Sequence, residues 1–127
     1  MDTTKSILVI DDEDDIREVA QLGLQVVANW QVITASSGAE GIVKAKAEQP
    51  DAILLDVMMP DMDGTKTFRK LQGDPATQHI PVLLLTAKVQ AADRRQFAAL
   101  GVKGVIAKPF DPLKLSAEMI RLLEWHA

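Results

Sequence analysis

Five short apolar segments alternate along the chain with longer segments whose apolar residues recur every three or four positions. The short segments cover residues 7–10, 32–33, 52–55, 82–85 and 104–107. Four of the five are apolar without alternation, which is typical of strands covered on both faces of a sheet. The order strand then helix repeats five times. This order favours parallel strands joined by right-handed helical crossovers, in a three-layer α/β sandwich.

The longer segments each predict a helix with one apolar face turned towards the sheet. The predicted faces are Ile16, Val19, Ala20, Gly23, Val26 and Val27 in the first helix, Ala39, Ile42 and Ala45 in the second, and Leu113, Ala117, Ile120 and Leu123, broadened by Leu115, Met119 and Leu122, in the last. Two boundaries also have a sequence signature. Ser37 and Glu40 form a capping box that opens the second helix. Asp111 followed by Pro112 predicts the start of the last helix, as N-cap and first helical residue.

Composition narrows the class of protein. A chain of 127 residues is the usual size of one domain, so we expect residues 1–127 to form a single domain without an attached output domain. The absence of cysteine excludes disulfides, thiolate zinc sites and cysteine nucleophiles. A net charge of −4 argues against general affinity for nucleic acid or anionic membranes. No signal peptide or membrane-length apolar run is evident, so we expect a soluble, cytoplasmic protein.

Polar side chains follow the predicted strands at the point where each strand ends. Asp11 and Asp12 follow the first strand, Asp56 the third, Thr86 the fourth and Lys108 the fifth. Because the carboxyl ends of parallel strands meet at one edge of a sheet, we expect these side chains to lie together. Carboxylates this close raise one another's pKa unless a cation lies among them, and oxygen ligands favour Mg²⁺ or Mn²⁺.

A hard divalent cation beside a carboxylate, a lysine and a hydroxyl group is suited to phosphoryl transfer. Lys108 and the metal would spread the charge of the phosphoryl oxygens, and Thr86 could donate a hydrogen bond to one of them. Asp56 is the candidate nucleophile because it lies centrally, on the middle strand. Its attack on phosphorus would give an acyl phosphate.

Four motifs give the chain a close resemblance to the response-regulator receiver domains of two-component signalling, and to their single-domain, chemotaxis-regulator-like members. They are IDDE at 10–13, LLDVMMPDMDG at 54–64, LLTA at 84–87 and AKPF at 107–110. The resemblance implies a flavodoxin-like (βα)5 fold with five parallel strands in the order 2-1-3-4-5. It also implies a signalling switch that assists its own phosphorylation and dephosphorylation but is not a turnover enzyme.

The resemblance also assigns roles to individual residues. Asp56 would accept a phosphoryl group from a histidine kinase or a phosphotransfer protein. Asp12, Asp56 and the backbone carbonyl of Met58 would bind Mg²⁺ directly, and Asp11 would act through water. The phosphoryl group would be contacted by the side chains of Thr86 and Lys108 and by the amide of Ala87. The Lys108–Pro109 peptide bond would be cis.

The same resemblance predicts a partner surface formed by the fourth helix, the fifth strand and the fifth helix, on a monomer or weak dimer. Val105 departs from the family pattern, which has an aromatic side chain at this position on the fifth strand. The stiff valine cannot make a large rotamer change, so the signal would travel from Thr86 through the following loop and helix. Met58 and Lys88 flank the phosphorylation site and offer no group to orient a water molecule, which predicts slow loss of phosphate.

Three sequence features admit other interpretations. The Asp61–Gly64 stretch resembles a calcium loop, but it lacks a third acidic position and a preceding helix, so we interpret it as a turn. A phosphatase with an aspartate nucleophile needs a second aspartate two residues later, where this chain has Met58. The second hypothesis that stays open is a receiver-like binding module whose partner contact does not depend on phosphate. Trp30 is expected to cover the edge of the core, and Trp125 either packs or anchors a partner.

Overall fold

The computed structural model describes residues 4–60, 62–87 and 90–125, which form five strands and five helices in strict alternation. The elements are β1 (Ser6–Ile10), α1 (Asp14–Ala28), β2 (Gln31–Ala35), α2 (Gly38–Glu48), β3 (Ala52–Asp56), α3 (Gly64–Gln72), β4 (Val82–Thr86), α4 (Ala91–Leu100), β5 (Gly104–Ala107) and α5 (Leu115–Leu123). All strands are parallel, in the order β2-β1-β3-β4-β5. The predicted fold class and strand order are confirmed.

The sheet separates two apolar cores, as expected of strands with apolar residues on both faces. One core packs β-strand residues against α2, α3 and α4, including Ala45, Phe68 and Phe97. The other packs them against α1 and α5, including Leu24 and Met119. Every residue of β3 and β4 is buried, so the middle of the sheet is inaccessible except at its ends. Within the described residues, no helix is both long and apolar enough to cross a membrane.

The buried face of α1 differs from the predicted one. Ala20, Gly23 and Leu24 are buried, whereas Val26 is 69% exposed and Val27 is 48% exposed. Val19 is also exposed, at 38%, so the predicted face was wrong at Val19, Val26 and Val27. The reason is close packing, because a Cβ atom at Gly23 would lie 2.3 Å from the carbonyl oxygen of Pro112. The smallest residues of α1 determine which side meets the β5–α5 connection.

The start and face of α5 also differ from the prediction. Asp111 does not cap the helix; its carboxylate accepts a hydrogen bond from Leu113 N in a separate turn, and α5 begins at Leu115. Consequently Leu113 is 68% exposed, and Leu115 and Met119 form the buried centre of the face. The predicted Ser37 cap of α2 is confirmed, since Ser37 Oγ accepts a hydrogen bond from Glu40 N at 3.1 Å. The return bond differs from a capping box, because the Glu40 carboxylate accepts from Ser36 N, one residue before the N-cap.

Both tryptophans lie at the end of the sheet where the strands begin. Trp30 is buried as expected, and its ring meets that of Trp125 edge-on with centroids 5.7 Å apart. The ammonium group of Lys5 lies 4.6 Å from the centroid of the Trp125 ring, a cation–π contact. Trp125 therefore packs over this end of the core and joins the end of α5 to the residue before β1.

Candidate functional site

The carboxyl ends of the strands bring the predicted site residues to one edge of the sheet. Asp11 follows β1, Asp56 ends β3, Thr86 ends β4 and Lys108 follows β5. Neighbouring strands are in register there, and Lys108 N donates a 2.9 Å hydrogen bond to the carbonyl oxygen of Thr86. The Lys108–Pro109 bond is cis, as expected. The parallel topology thus places these four residues together, although they are far apart in the sequence.

Three carboxylates form an acidic cluster at this edge. One oxygen from each of Asp11, Asp12 and Asp56 lies within 4.8 Å of the other two. Asp11 and Asp56 are buried, whereas Asp12 is exposed. The cluster is therefore open to solvent on the Asp12 side and closed beneath, which leaves one direction of approach.

The Lys108 ammonium group is the positive charge that faces this cluster. Its Nζ lies 2.9 Å from Asp11 Oδ2, 3.2 Å from Asp56 Oδ1 and 3.5 Å from Glu13 Oε1. The contact with Asp11 is an ion pair, and Lys108 also donates a hydrogen bond to Asp56. Burial opposes the charged form of Lys108, but attraction to Asp11 and Asp56 prevails and raises the pKa of the ammonium group.

Asp56 is held in an environment that disfavours its charge. Burial, and then the negative charge of Asp11, raise the pKa of Asp56 from 3.8 to about 6, against the opposing effects of Lys108 and of the Met58 amide. Met58 N donates a 3.3 Å hydrogen bond to Asp56 Oδ1. The other oxygen, Asp56 Oδ2, is buried and has no hydrogen-bond partner among the described residues. A buried carboxylate oxygen without a partner is costly, and a bound cation or a covalent phosphoryl group would satisfy it.

The loop between β1 and α1 is held by contacts that the sequence analysis missed. Arg17 reaches back from α1, donates a 2.6 Å hydrogen bond to the carbonyl oxygen of Asp11 and also pairs with Asp14. Asp11 Oδ1 accepts a 2.9 Å hydrogen bond from Glu13 N. Glu13 was part of a recognised motif without a role, and no pattern identified Arg17. The sequence feature that indicates this contact is an arginine in the first turns of a helix that follows an acidic run.

The loop between β3 and α3 sets the position of Asp56 from the other side. Gly64 N donates to the carbonyl oxygen of Val57 at 2.9 Å, and a Cβ atom at Gly64 would lie 2.4 Å from the carbonyl oxygen of Asp56. Asp63 caps α3 by accepting a 2.8 Å hydrogen bond from Lys66 N. This use of Asp63 agrees with the turn interpretation; Asp61 lies outside the described residues.

The remaining predicted residues lie on the exposed rim or behind it. Met58 is 59% exposed, Thr86 is buried at the end of β4, and Ala87 is exposed just after it. Val105 is half-buried against the core on the α2–α4 side of the sheet. Lys88 lies outside the described residues.

The residues present fit a hard divalent cation. All the side-chain ligand atoms offered are carboxylate oxygens, and their mutual spacing would allow one ion to contact all three residues. The unpartnered Asp56 Oδ2 and the raised pKa of Asp56 are both relieved by a positive charge in the cluster. The geometry therefore suits Mg²⁺ or Mn²⁺, and Lys108 does not by itself balance the three carboxylates of Asp11, Asp12 and Asp56.

Comparison with known proteins gives a consistent result. The response regulator receiver domain family matches residues 7–120 of the chain. The chain is 39% identical, over 119 residues and 94% of its length, to the alkaline phosphatase synthesis transcriptional regulatory protein PhoP of Bacillus subtilis, of which it covers 48%. It is 42% identical to the response regulator PleD of Caulobacter vibrioides over 89% of its length, covering 25% of that protein. The chain thus spans about half the length, or less, of these curated relatives.

Solved structures show the same similarity in three dimensions. The chemotaxis response regulator CheY4 of Vibrio cholerae superposes with a TM-score of 0.87 at 31% sequence identity, covering 94% of this chain and 99% of that one. A response regulator structure from Chloroflexus aurantiacus superposes with a TM-score of 0.86 at 30% identity, covering 96% of this chain and 99% of the other.

Proposed function

Because the chain belongs to the family of response regulator receiver domains, we propose that it is a phosphorylation-operated switch whose phosphoacceptor is Asp56. The observation that carries this proposal is the Asp56 carboxylate itself, buried, 3.2 Å from Lys108 and with one oxygen unpartnered among the described residues. Receiver domains are generally signalling switches and not turnover enzymes, and we propose the same here.

The surrounding side chains have separate tasks in this proposal. Asp56 attacks phosphorus, forming an acyl phosphate while the bond from phosphorus to the donor breaks. Lys108 donates a hydrogen bond to Asp56 and would pair with the added phosphoryl oxygens. The Thr86 hydroxyl and the Ala87 amide would donate hydrogen bonds to the same oxygens. Asp11, ion-paired with Lys108 at 2.9 Å, keeps the ammonium group pointed at the site.

Receiver domains generally bind Mg²⁺, and we propose that Asp12, Asp56 and the Met58 carbonyl would hold it directly, with Asp11 acting through water. When bound, the ion neutralises charge that the acidic cluster and the phosphoryl oxygens would otherwise share. The chain contributes the preformed cluster, and Arg17 fixes the loop that carries Asp11 and Asp12.

We propose that the phosphodonor, a histidine kinase or phosphotransfer protein, docks on the exposed apolar side of α1. Val19, Leu22 and Val26 are three and four residues apart on one side of the helix, and their exposed fractions are 38%, 63% and 69%. Leu113, which is 68% exposed and follows the Pro112 that contacts Gly23, is a further exposed apolar side chain. Exposed apolar patches mark interaction surfaces, and α1 directly follows the loop that carries Asp11 and Asp12.

Phosphotransfer kinetics can test the docking surface. Val26→Ser should slow transfer from phosphorylated kinases of the source organism and leave labelling by acetyl phosphate unchanged. Val43→Ser is the matched control, because Val43 is 66% exposed on α2, across the sheet from α1. Equal transfer rates for the two variants would contradict docking on α1.

Incubation with acetyl phosphate and Mg²⁺ tests the phosphoacceptor. We expect the intact mass to rise by one phosphoryl group, and Asp56→Asn to abolish the adduct. Asp51→Asn is the matched control, since Asp51 immediately precedes β3 and Asp56 is its last residue, at the opposite end. If the folded wild-type chain forms no adduct while a known receiver domain does, the chain is the phosphate-independent binding module.

The output of the switch remains a set of predictions. We propose that a partner protein binds the surface formed by α4, β5 and α5, where Val105, Arg94 and Arg121 help to line a cavity of about 350 Å³. We also predict that the chain acts as one domain in the cytoplasm. We expect it to be a monomer or weak dimer and to make no direct contact with nucleic acid.

A further inference from the structure

Met58 differs from the other methionines whose side chains the structure describes. Its side chain is 59% exposed, whereas Met59 is 8% exposed, Met119 is fully buried and Met62 is partly buried. Oxidation of a thioether by peroxide requires access to the sulfur. Among the described methionines, Met58 is therefore the most accessible to an oxidant, and it lies beside a protected neighbour.

The position of Met58 connects this sulfur to the acidic site. Met58 N donates a hydrogen bond to Asp56 Oδ1 at 3.3 Å, so the Met58 backbone is fixed by the carboxylate that we propose as phosphoacceptor. The side chain lines an open cavity of about 380 Å³ together with Val57, Met59, Pro60 and Asp63. Four of these five residues are apolar, so this cavity, which Met58 places next to Asp56, offers few groups to hold a water molecule.

We propose that Met58 is a reversible oxidation site through which peroxide shortens the lifetime of the phosphoryl group on Asp56; the second half of this proposal rests on the proposed function. In the oxidation, a sulfur lone pair attacks one oxygen of hydrogen peroxide and the O–O bond breaks. An S=O bond forms, the sulfur loses two electrons, and the peroxide is reduced to water.

The consequence follows from the change in polarity. A thioether is a weak hydrogen-bond acceptor, whereas a sulfoxide is polar and presents a strong acceptor oxygen. That oxygen can hold and orient a water molecule on the Met58 side of the acidic cluster, where the cavity lining is mostly apolar. Attack of this water on phosphorus restores the Asp56 carboxylate and releases inorganic phosphate. Because methionine sulfoxide reductases reverse the modification, the effect would last only as long as the oxidising condition.

Limited treatment of the full chain with hydrogen peroxide tests the site. Fragment-ion sequencing of the peptide spanning β3 and α3 should show an added oxygen on Met58 at a rate at least about tenfold above that of Met59 or Met119, as their burial requires. Comparable oxidation of Met58 and Met59 would overturn the assignment, and this readout needs no phosphorylation.

The lifetime of the acyl phosphate tests the consequence. The oxidised wild type should lose phosphate several-fold faster than the reduced protein, and methionine sulfoxide reductase should restore the slow rate. Met58→Leu has a similar volume without sulfur and should lose phosphate at one rate before and after peroxide. Met62→Leu, the control, should behave as the wild type. An unchanged lifetime after full oxidation of Met58 would overturn the regulatory role, whereas failure to phosphorylate Asp56 at all would overturn the proposed function and leave the oxidation map intact.

Discussion

The single positive charge of Lys108 lies close to the carboxylates of Asp11, Asp56 and Glu13. The loss of any one of these carboxylates changes the charge balance of the others. Asp11 is fully buried and lies closest to the ammonium group, so its negative charge is compensated most directly. Asp56 is also buried but is offered less compensation, which agrees with its raised pKa. The ionised Asp56 carboxylate is thus a source of instability in the metal-free protein.

Replacement of Asp56 by asparagine should stabilise the metal-free protein at pH 8. The folded pKa of about 6 exceeds the ordinary 3.8, so the native state binds a proton more tightly than the unfolded state does. The stability contributed by this proton is fully present below pH 3.8 and is lost as the pH rises through 6. Allowing for the lost Lys108 contact, we expect Asp56→Asn to raise the free energy of unfolding by about 1–2 kcal/mol.

Urea unfolding in chelator-containing buffer at pH 8 and pH 5 measures this effect. The advantage of the variant should shrink by roughly half at pH 5, where most of the native wild type has Asp56 protonated. A loss of several kcal/mol in Asp56→Asn would mean that this carboxylate supports the fold.

Changes at Met58 and Lys88 should alter how fast the phosphoryl group is lost. Met58→Asn places an amide at the exposed mouth of the site, and Lys88→Glu adds a carboxylate at a position outside the described residues. Both supply a group that can orient a water molecule, so we expect the double variant to hydrolyse faster than the wild type. Release of inorganic phosphate from the labelled protein measures the rate, and an unchanged or slower rate would refute the argument.

At the scale of elements, the sequence predicts the five strands better than it predicts helix faces, and the strand order follows from the family resemblance. Four of the five strands contain unbroken apolar runs, so burial on both faces leaves no choice of orientation. In α1, apolar residues occupy most of the circumference, and periodicity alone cannot choose a side. Gly23 determines which side of α1 is buried, because only a residue without Cβ allows the close approach of Pro112. That contact joins distant parts of the chain and is invisible to a local pattern.

Gly64→Ala should be destabilising because of the close contact between α3 and β3. The added Cβ would lie 2.4 Å from the Asp56 carbonyl oxygen and 2.7 Å from the Val57 Cα, which are backbone atoms that cannot rotate away. We expect a loss of about 1–3 kcal/mol in urea unfolding and a weaker Mg²⁺ affinity. Gly73→Ala, at the other end of α3, has its nearest contact at 3.3 Å and should change stability by less than about 1 kcal/mol. Equal losses for both variants would contradict this explanation.

The connection from β4 to α4 should carry the signal from the phosphoryl group. Thr86 is buried at the end of β4, and a hydrogen bond from its hydroxyl to the phosphoryl group, worth roughly 1.5–3 kcal/mol, could bias two nearby arrangements of the following segment. We expect Thr86→Ala to accept phosphate but to lose most of the change across residues 88–100. Backbone NMR shifts with and without beryllofluoride measure this; shifts equal to those of the wild type would exclude the hydroxyl as the coupling group.

At the scale of the whole molecule, the positions of the site residues follow from topology. Parallel strands in one sheet must end at the same edge, so polar residues that follow apolar runs at 11, 56, 86 and 108 converge. The contacts of Glu13 and Arg17 were not predictable in this way, because they depend on how far long side chains reach across a loop. Topology therefore predicted the members of the acidic cluster, and loop geometry determined what holds it in place.

The tryptophan pair places both indole fluorophores at the end of the sheet opposite the acidic cluster. The chain has two tryptophans and no tyrosine, and both indoles lie where the strands begin, roughly 15 Å from Asp56 along a five-residue strand. We expect intrinsic emission to report loss of the α5 contact on unfolding and to stay constant when Mg²⁺ is titrated into the native protein. Met58→Trp would add a fluorophore on the exposed rim and should make the same titration visible. A Mg²⁺-dependent change in wild-type emission would instead reveal that the two ends of the sheet communicate through the α1–α5 layer.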